Sequence, residues 1–374
     1  MTADCLAKPL SDWANDWSEA ERPKSEDANY YFNSYAHFGI HEDMISDVAR
    51  TSAYQRAIMN NATNFEGKIV LDVGAGSGIL SMFAAKAGAK HVYALECSGI
   101  VHLGRQIVAE NGLTDKITFV QGKAEEISLP VDKVDIIISE WMGYFLIYES
   151  MLDTVLYCRD KWLVPGGLMF PDRATIHVAA LENFEAADRA VTNWRDVWGY
   201  DMSFMTRQVV QEASVEVFES RRIVSDSACI LDIDLTKVTV AELDFEGFFT
   251  LRFKRKDFAH HLVTWFDTFF PNDSAVLSTA CSVRPTHWKQ TAFALPCAPI
   301  AGEEGDLIVG SLAARKSKQN PRDIDVKIRY RVDYQTMSDR AGAGAGAGAG
   351  AVAGGSGWGS VDAEGFTTVA YRIR

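Results

Sequence analysis

Apolar runs alternate with helical periodicity through the first half of the chain. Four runs are almost continuously apolar and predict buried strands: 68–73, 91–96, 116–121 and 134–139. Helix-like segments such as 78–89 follow the first two runs, and a fifth strand is expected after a helix at 150–162. Because buried strands joined by helices are typical of a doubly wound parallel sheet, the sequence predicts an α/β domain here.

The segments on either side of this α/β pattern have a different distribution of apolar and polar residues. Residues 34–61 contain no proline and carry apolar residues at helical spacing, so they predict one helix with a buried face. Residues 1–28 are polar and acidic, which predicts a disordered tail. Beyond residue 171, more closely spaced extended runs alternate apolar with polar positions and indicate an antiparallel β-domain. The predicted domains are therefore 29–170 and 171–374.

Two segments of the second domain do not fit the strand pattern. Residues 184–208 predict a helical interruption rich in large apolar side chains. Residues 341–355 are a low-complexity Ala/Gly run, for which we predict a flexible loop and assign no function. Such a loop is tolerable, because each doubling of loop length costs only about 0.6 kcal/mol of closure entropy.

Composition limits the class of protein. The chain has 374 residues, of which 47% are hydrophobic and 23% charged, so we expect two globular domains rather than a disordered or fibrous chain. Lys and Arg number 37 against 50 Asp and Glu. The resulting net charge of −13 disfavours nucleic acid and anionic membranes as partners and favours a basic ligand.

The cysteines and the N-terminal residues bear on the compartment. The six cysteines include no CxxC pair and no zinc-like spacing, so neither a disulfide framework nor a metal site is predicted. No apolar run approaches the roughly 18 residues that span a membrane, and the first residues lack signal and transit patterns. We therefore expect a cytoplasmic or nuclear protein.

A glycine-rich turn follows the first predicted strand. Gly74, Gly76 and Gly78 form a GxGxG sequence, and the next predicted strand ends in Glu96. Glycines let the backbone approach a ligand closely, and an acidic side chain at this spacing can accept both hydroxyls of a ribose. The sequence therefore predicts a site for a nucleoside cofactor.

Two kinds of nucleoside cofactor could occupy such a site, and the glycine spacing distinguishes them. The dinucleotide fingerprint GxGxxG would need glycine at position 79, where the chain has Ile79. The GxGxG spacing instead favours S-adenosyl-L-methionine, which has no pyrophosphate to place at a helix N-terminus. Glu125, just after the third predicted strand, is either an acceptor for the adenine amino group or an exposed loop glutamate.

Two glutamates stand in the apolar and aromatic segment after the fourth predicted strand. Ligands of open α/β sheets bind at the carboxyl ends of the strands, so this segment is expected beside the cofactor. Glu140 and Glu149 are spaced to stand at the two ends of a hairpin-like loop facing one pocket. Paired carboxylates suit a guanidinium and can polarise it for methyl transfer. An acid–base pair for glycoside cleavage is the alternative, but it gives the cofactor no role.

These motifs resemble those of the protein arginine N-methyltransferases over roughly residues 28–374. Four segments carry the resemblance, in the family's order: the Tyr- and His-containing segment 30–41, the glycine loop 70–78, the double-glutamate loop 139–149 and the Thr-His-Trp loop 285–288. The resemblance implies a Rossmann-like methyltransferase domain followed by a β-barrel-like domain. It also implies S-adenosyl-L-methionine as cofactor and arginine/glycine-rich proteins as substrates.

The resemblance assigns roles to individual residues. The implied cofactor cradle consists of Tyr31, Tyr35, His41, Arg50, Gly74, Gly76, Glu96 and Glu125. Arg50 would meet the amino-acid carboxylate of the cofactor, while the two tyrosines close over the site. Glu140 and Glu149 would bind the target guanidinium. His287 and its implied partner Asp47 would accept or pass on the released proton.

The same resemblance extends to assembly and product. Segment 184–208 would be an arm that docks on the methyltransferase domain of a second subunit and so forms a homodimer. Met44 and Met151 would line the pocket for the target arginine, as in family members that form asymmetric dimethylarginine. The alternative is that both methionines are ordinary core residues. A catalytically inactive paralogue is a second hypothesis, although both glutamates and His287 are present. A small-molecule methyltransferase is a third.

Overall fold

The structure is a computed structural model that describes residues 8–15, 17, 35–295, 299–334 and 360–374. Two sequence predictions, the cofactor-covering Tyr31 and the Ala/Gly loop 341–355, lie outside the described residues. Within the described ranges, no helix combines the length and the apolar character that crossing a membrane requires.

The first domain is a five-stranded parallel sheet with the order β3-β2-β1-β4-β5. Its strands are β1 (Ile69–Val73), β2 (His91–Glu96), β3 (Ile117–Gln121), β4 (Val134–Ile138) and β5 (Leu163–Phe170). The helices up to this point are α1 (Asp12–Asn15), α2 (Phe38–Ser46), α3 (Val48–Asn60), α4 (Ala62–Phe65), α5 (Ile79–Lys86), α6 (Val101–Glu110) and α7 (Met151–Trp162). The predicted doubly wound domain is confirmed. Its strand order reverses between β1 and β4, and ligands bind at such a switch point.

The second domain is antiparallel, as the alternating strand pattern predicts. Its described strands are β6 (Arg173–Leu181), β7 (Ser214–Glu216), β8 (Ile223–Asp234), β9 (Phe245–Arg252), β10 (Asp257–Ala259), β11 (His261–Phe269), β12 (Val276–Ser278), β13 (Gln290–Ala294), β14 (Ile300–Gly302), β15 (Leu307–Lys316), β16 (Ile324–Asp333), β17 (Ser360–Val361) and β18 (Thr367–Ile373). One sheet has the order β7-β13-β11-β6-β8, with β12 also paired to β11, and another has the order β17-β18-β16-β15-β9. Because β8 runs beside β9, the two sheets join at that edge in a barrel-like arrangement. The short strands β10 and β14 pair separately.

The larger of two apolar clusters among the described residues runs through both domains. The rings of Tyr54 and Phe270 lie 4.9 Å apart and those of Phe170 and Phe270 6.5 Å apart, and all three residues are buried. Across the same junction, Trp288 donates its indole N–H to the carbonyl of Met142 at 2.8 Å. This shared packing holds loops of the β-domain against the carboxyl edge of the parallel sheet.

The single helix predicted over 34–61 is wrong, because the chain forms α2 and α3 with a break between them. At the break Asp47 has an extended backbone, with φ −68° and ψ 96°. Its carboxylate accepts the backbone N–H of Arg50 at 3.0 Å and so caps α3. Aspartate is among the preferred N-cap residues, since its side chain satisfies an N–H group that the helix leaves unpaired. The break leaves the Asp47 carboxylate available to partners outside the helix.

The disordered tail predicted over 1–28 is wrong for residues 8–15 and 17, which pack on the β-domain. Trp13 donates its indole N–H to the buried carboxylate of Glu246 at 2.9 Å, and Lys8 pairs with Glu246 through the backbone. The guanidinium of Arg315 lies 4.2 Å from the ring centroid of Trp17. A buried carboxylate requires donors, and this segment supplies them. The remaining residues of 1–28 lie outside the described ranges.

The helical interruption at 184–208 projects from the second domain. It begins with α8 (Phe184–Thr192), and α9 (Thr206–Gln211) starts near its end. Trp198 is 96% exposed and Phe204 is 89% exposed. Large aromatic side chains that remain exposed within one short segment are typical of a docking surface rather than of the chain's own core.

Candidate active site

The glycine loop between β1 and α5 forms a tight cradle at the carboxyl edge of the sheet. The backbone N–H groups of Gly74 and Ala75 both donate to the carbonyl of Leu95, which draws the loop towards β2. A Cβ atom at Gly74 would lie 2.6 Å from the Cε atom of Met151, and one at Gly76 would lie 3.0 Å from the ring of His41. Side chains at these positions would fill the cradle, so the loop suits a nucleoside ligand that approaches the backbone closely.

Glu96 occupies the end of β2, as the nucleoside hypothesis requires. Its Oε2 atom accepts the N–H of Gly76 at 2.9 Å and its Oε1 atom accepts the N–H of Ser98 at 2.7 Å. These two bonds fix a buried carboxylate beside the glycine loop. Each carboxylate oxygen retains acceptor capacity, so the side chain can also receive the hydroxyls of a ribose.

Asp72 lies directly behind the loop and is a residue that the sequence analysis missed. Its Oδ2 atom accepts the hydroxyl of Ser81 at 2.6 Å, while Oδ1 has no hydrogen-bond partner among the described residues. Complete burial raises the pKa of Asp72 to about 7, with the charge of Glu96 adding to the effect. The detectable signal was an acidic residue inside an otherwise apolar strand, immediately before the glycine loop.

The segment after β4 contains the predicted hairpin-like loop. The N–H of Gly143 donates to the carbonyl of Leu146 at 2.9 Å, which closes the turn. Four residues with side chains have a positive φ: Phe145 (53°), Leu146 (66°), Glu149 (74°) and Ser150 (58°). Because each such residue costs roughly 1–2 kcal/mol, contacts from outside the loop must hold this conformation.

Glu140, at the start of the loop, forms a buried ion pair with Arg50. The Nε and Nη2 atoms of Arg50 both lie 2.9 Å from Oε2 of Glu140, and each side chain is 7% exposed. The resemblance placed Arg50 at the amino-acid carboxylate of a cofactor, whereas the structure pairs it with Glu140. A guanidinium has five N–H donors, so the observed pairing is compatible with a second carboxylate. Arg50 also donates to the carbonyl of Met44 at 3.3 Å.

Glu149, at the end of the loop, is bound to Tyr35. The phenol of Tyr35 donates to Oε2 of Glu149 at 2.8 Å. The carbonyl of Tyr35 lies 2.9 Å from Nε2 of His41 and accepts the hydroxyl of Ser98 at 3.2 Å. Since the N–H of Ser98 also donates to Glu96, a continuous set of hydrogen bonds joins the second glutamate to the glycine loop.

His287 reaches the site from the second domain and pairs with Asp47. The Nδ1 atom of His287 lies 2.8 Å from Oδ2 of Asp47, and the backbone N–H of His287 donates to the same oxygen at 2.9 Å. Burial alone would raise the pKa of Asp47. Hydrogen bonds from the His287 side chain and from two backbone N–H groups outweigh burial and lower that pKa below its usual value.

The structure brings most of the predicted site residues to one edge of the parallel sheet: Tyr35, His41, Met44, Asp47, Arg50, Gly74, Gly76, Glu96, Glu140, Glu149, Met151 and His287. Glu125 lies at the rim, where it is exposed and accepts the hydroxyl of Thr154 at 3.1 Å. Its role towards adenine stays a prediction.

Three further residues support the site without any local sequence signal. The buried phenol of Tyr54 donates to the carbonyl of Ser139 at 2.9 Å, and Ser98 joins Tyr35 to Glu96. Arg322 donates to the carbonyl of Glu149 at 2.8 Å from 173 positions further along the chain. Contacts at such separations follow from the tertiary fold and have no pattern in the neighbouring sequence.

A parallel sheet with this glycine loop, an acidic residue ending β2 and a following antiparallel domain defines a Rossmann-like methyltransferase. Two family models match accordingly. Residues 70–167 match the model described as "Methyltransferase domain". Residues 172–335 match the model described as "Arginine methyltransferase oligomerization subdomain". The two matches meet close to the boundary between β5 and β6.

Known proteins narrow this class to one family. The chain is 48% identical to "Probable protein arginine N-methyltransferase 1.2" of Arabidopsis thaliana, over 82% of this chain and 84% of that protein. It is 46% identical to protein arginine N-methyltransferase 1 of Saccharomyces cerevisiae, over 84% of this chain and 92% of that protein. A solved structure is the PRMT1 enzyme–prozyme heterotetrameric complex of Trypanosoma brucei with AdoHcy. One of its chains is 37% identical to this chain, with a TM-score of 0.81, and the match covers 91% of this chain and 100% of that chain. The chain therefore belongs to the protein arginine N-methyltransferase family.

The raised pKa of Asp72 predicts a specific dependence of stability on pH. Its folded-state pKa is about 7 against an ordinary value of 3.8, so between these values the folded protein retains a proton that the unfolded chain has lost. The free energy of unfolding should therefore fall as pH rises from about 4 to about 7 and level off above that.

The measurement is denaturant unfolding across this pH range for the wild type and for Asp72→Asn. The difference in unfolding free energy, wild type minus Asp72→Asn, should decline with rising pH because the amide does not ionise. The exposed Asp132→Asn is the matched control. A wild-type minus Asp72→Asn difference that stays constant over the range would contradict the assignment.

Proposed function

We infer that this protein transfers methyl groups from S-adenosyl-L-methionine to guanidinium nitrogens of arginine residues in proteins. Family membership supports this activity at 46–48% identity over most of the chain. The observation that carries the inference is the hairpin of Glu140 and Glu149 beside the glycine loop. Each carboxylate is held by its own donor, Arg50 for the first and Tyr35 for the second.

The two glutamates act on the substrate by binding and polarising it. Bound S-adenosyl-L-methionine supplies an activated methyl group. The target guanidinium is protonated at neutral pH and its nitrogen lone pairs are delocalised. One terminal nitrogen must therefore be oriented, and positive charge must be drawn to the other two. Glu140 and Glu149 accept its N–H groups, and their fixed negative charges stabilise that charge distribution without reorganising.

We propose that the His287–Asp47 pair receives the proton that the guanidinium releases. When Nδ1–H of His287 donates to Asp47, the Nε2 atom of the neutral ring is an acceptor. The charge of Asp47 then stabilises the imidazolium that forms. The lowered pKa of Asp47 supports this role, because the carboxyl group stays ionised throughout the neutral range.

The charge of the chain supports arginine/glycine-rich proteins as substrates. With a net charge of −13, the protein attracts basic segments and repels nucleic acid.

We also propose a location in the cytoplasm or nucleus. Within the described part of the chain, Cys97, Cys158, Cys229 and Cys281 form no disulfide bond, which agrees with a reducing compartment.

The direct test is incubation of the protein with methyl-labelled S-adenosyl-L-methionine and an arginine/glycine-rich peptide. The label should appear on arginine after hydrolysis of the peptide. The control peptide carries lysine at every arginine position and should stay unlabelled. A folded protein that binds the cofactor yet labels no arginine would contradict the activity and support the inactive-paralogue hypothesis.

Catalysis should depend on the charge of both glutamates. Glu140→Gln and Glu149→Gln keep the shape of the side chain and lose the charge, so we expect turnover to fall by about a hundredfold or more, or about 2.7 kcal/mol. Affinity for S-adenosyl-L-methionine, measured by calorimetry, should change less than about threefold. The exposed Glu126→Gln is the control. If a glutamine variant keeps more than about a tenth of wild-type turnover, the glutamate that it replaces does not have this role.

The chain carries the family's oligomerization subdomain, which supports oligomerisation. We propose that the assembly is a homodimer in which the arm 184–208 docks on the partner's methyltransferase domain. Changing Trp198 and Phe204 to alanine together should weaken dimerisation by about a hundredfold or more, since buried aromatic residues dominate interface energies. Sedimentation at micromolar concentration measures this, with the exposed Val283→Ala as control. A monomeric wild type, or a dimer unaffected by the double change, refutes the proposal.

We propose that the final product is asymmetric dimethylarginine. Two placements support this: a Cβ atom added at Gly74 would lie 2.6 Å from the Cε atom of Met151, and the backbone carbonyl of Met44 accepts a hydrogen bond from Arg50, the partner of Glu140. A slim, adaptable thioether leaves room beside one guanidinium nitrogen, so a methylated nitrogen can face the donor again. Mass spectrometry of an exhaustively methylated peptide should show neutral loss of dimethylamine. Loss of monomethylamine, or a product that stops at monomethylarginine, would contradict the prediction.

A further inference from the structure

Glu149 has a backbone conformation that its own side chain disfavours. Its φ is 74° and its ψ is −13°, and the next residue, Ser150, has φ 58° and ψ 23°. Two consecutive residues with side chains in the left-handed region persist only where neighbouring groups impose that conformation. The direction in which the Glu149 carboxylate leaves the loop depends on those neighbours.

Among the described residues, Arg322 of the second domain makes two of the contacts that hold this backbone. The backbone carbonyl of Arg322 accepts the backbone N–H of Glu149 at 2.9 Å. Its Nη1 atom donates to the carbonyl of Glu149 at 2.8 Å. Arg322 thus binds the backbone of Glu149 on both sides, and the adjacent Ser150 hydroxyl donates to the carbonyl of Pro321.

The turn that carries Arg322, residues 317–323 between β15 and β16, is internally fixed. The Oδ1 atom of Asn320 accepts the N–H of Arg322 at 3.2 Å, and its Nδ2 atom donates to Asp323 at 2.8 Å. At the base of the turn, Lys316 forms an ion pair with Asp153 on α7 at 2.5 Å. The turn is therefore a preorganised support that is tied to the helix following the catalytic loop.

We propose that Arg322 is a positioning residue for Glu149, through which the β-domain sets the geometry of the catalytic carboxylate. Without the guanidinium, the carbonyl of Glu149 loses its charge-assisted hydrogen bond, and the backbone relaxes towards an ordinary conformation. The Glu149 carboxylate then leaves its place beside Tyr35. Glu140 keeps its place, because Arg50 holds it independently. This inference rests on the proposed methyltransferase activity.

The first experiment is a steady-state comparison of Arg322→Ala, Arg322→Lys and the wild type. We expect kcat of the alanine variant to fall by about tenfold or more, with S-adenosyl-L-methionine affinity within about threefold of wild type. The lysine variant should recover at least about threefold of that loss, because an ammonium can still donate to the Glu149 carbonyl. Arg331→Ala, which removes a half-buried arginine of β16 paired with Asp333, is the matched control and should keep wild-type kcat.

The second experiment separates positioning from a general structural role. If Arg322 acts through Glu149, then Arg322→Ala in a Glu149→Gln background should lower kcat by less than about threefold. Equal losses in both backgrounds would overturn the proposal. If the alanine variant does not fold, Arg322→Lys and Arg322→Gln replace it in the same comparison between the wild-type and Glu149→Gln backgrounds.

The outcomes for the inference and for the activity are distinguishable. An active wild type whose Arg322→Ala variant keeps kcat within about threefold overturns the positioning role alone. A wild type that labels no arginine overturns the proposed function and the positioning role with it.

Discussion

The loop from Glu140 to Ser150 depends on support that it cannot provide itself. Four of its residues have a positive φ, and Gly143 passes so close to Tyr148 that an added Cβ would lie 2.2 Å from the Tyr148 carbonyl oxygen. The second domain supplies much of that support: Trp288 binds the carbonyl of Met142, and Arg322 binds the backbone of Glu149. The β-domain is thus part of the active site even though most of the predicted site residues lie outside it.

Two separate sets of contacts fix the two glutamates. Arg50 holds Glu140, and the same arginine donates its backbone N–H to Asp47, the partner of His287. Tyr35 holds Glu149 and is linked to Glu96 through Ser98. The residues proposed to bind substrate and those proposed to bind cofactor therefore lie in connected hydrogen-bond networks.

Local patterns predicted the features that local sequence determines. Apolar runs marked the parallel strands, and the GxGxG spacing with Glu96 marked the nucleoside site, because burial and glycine geometry leave a trace in neighbouring residues. The roles of Asp47 and His287 came from family resemblance, since nothing near either residue indicates their pairing. The packing of Trp13 on Glu246 and the contact of Arg322 with Glu149 join segments more than 170 positions apart. Such contacts emerge only when the domains are assembled.

The most direct test of this account is the turnover of Gly143→Ala at saturating S-adenosyl-L-methionine and peptide. The substitution leaves both glutamates in the sequence but forces the hairpin apart at Tyr148. If the loop geometry is what makes the carboxylates catalytic, kcat should fall by about a hundredfold or more while cofactor affinity stays within about threefold. A folded variant with kcat within about threefold of wild type would contradict the account.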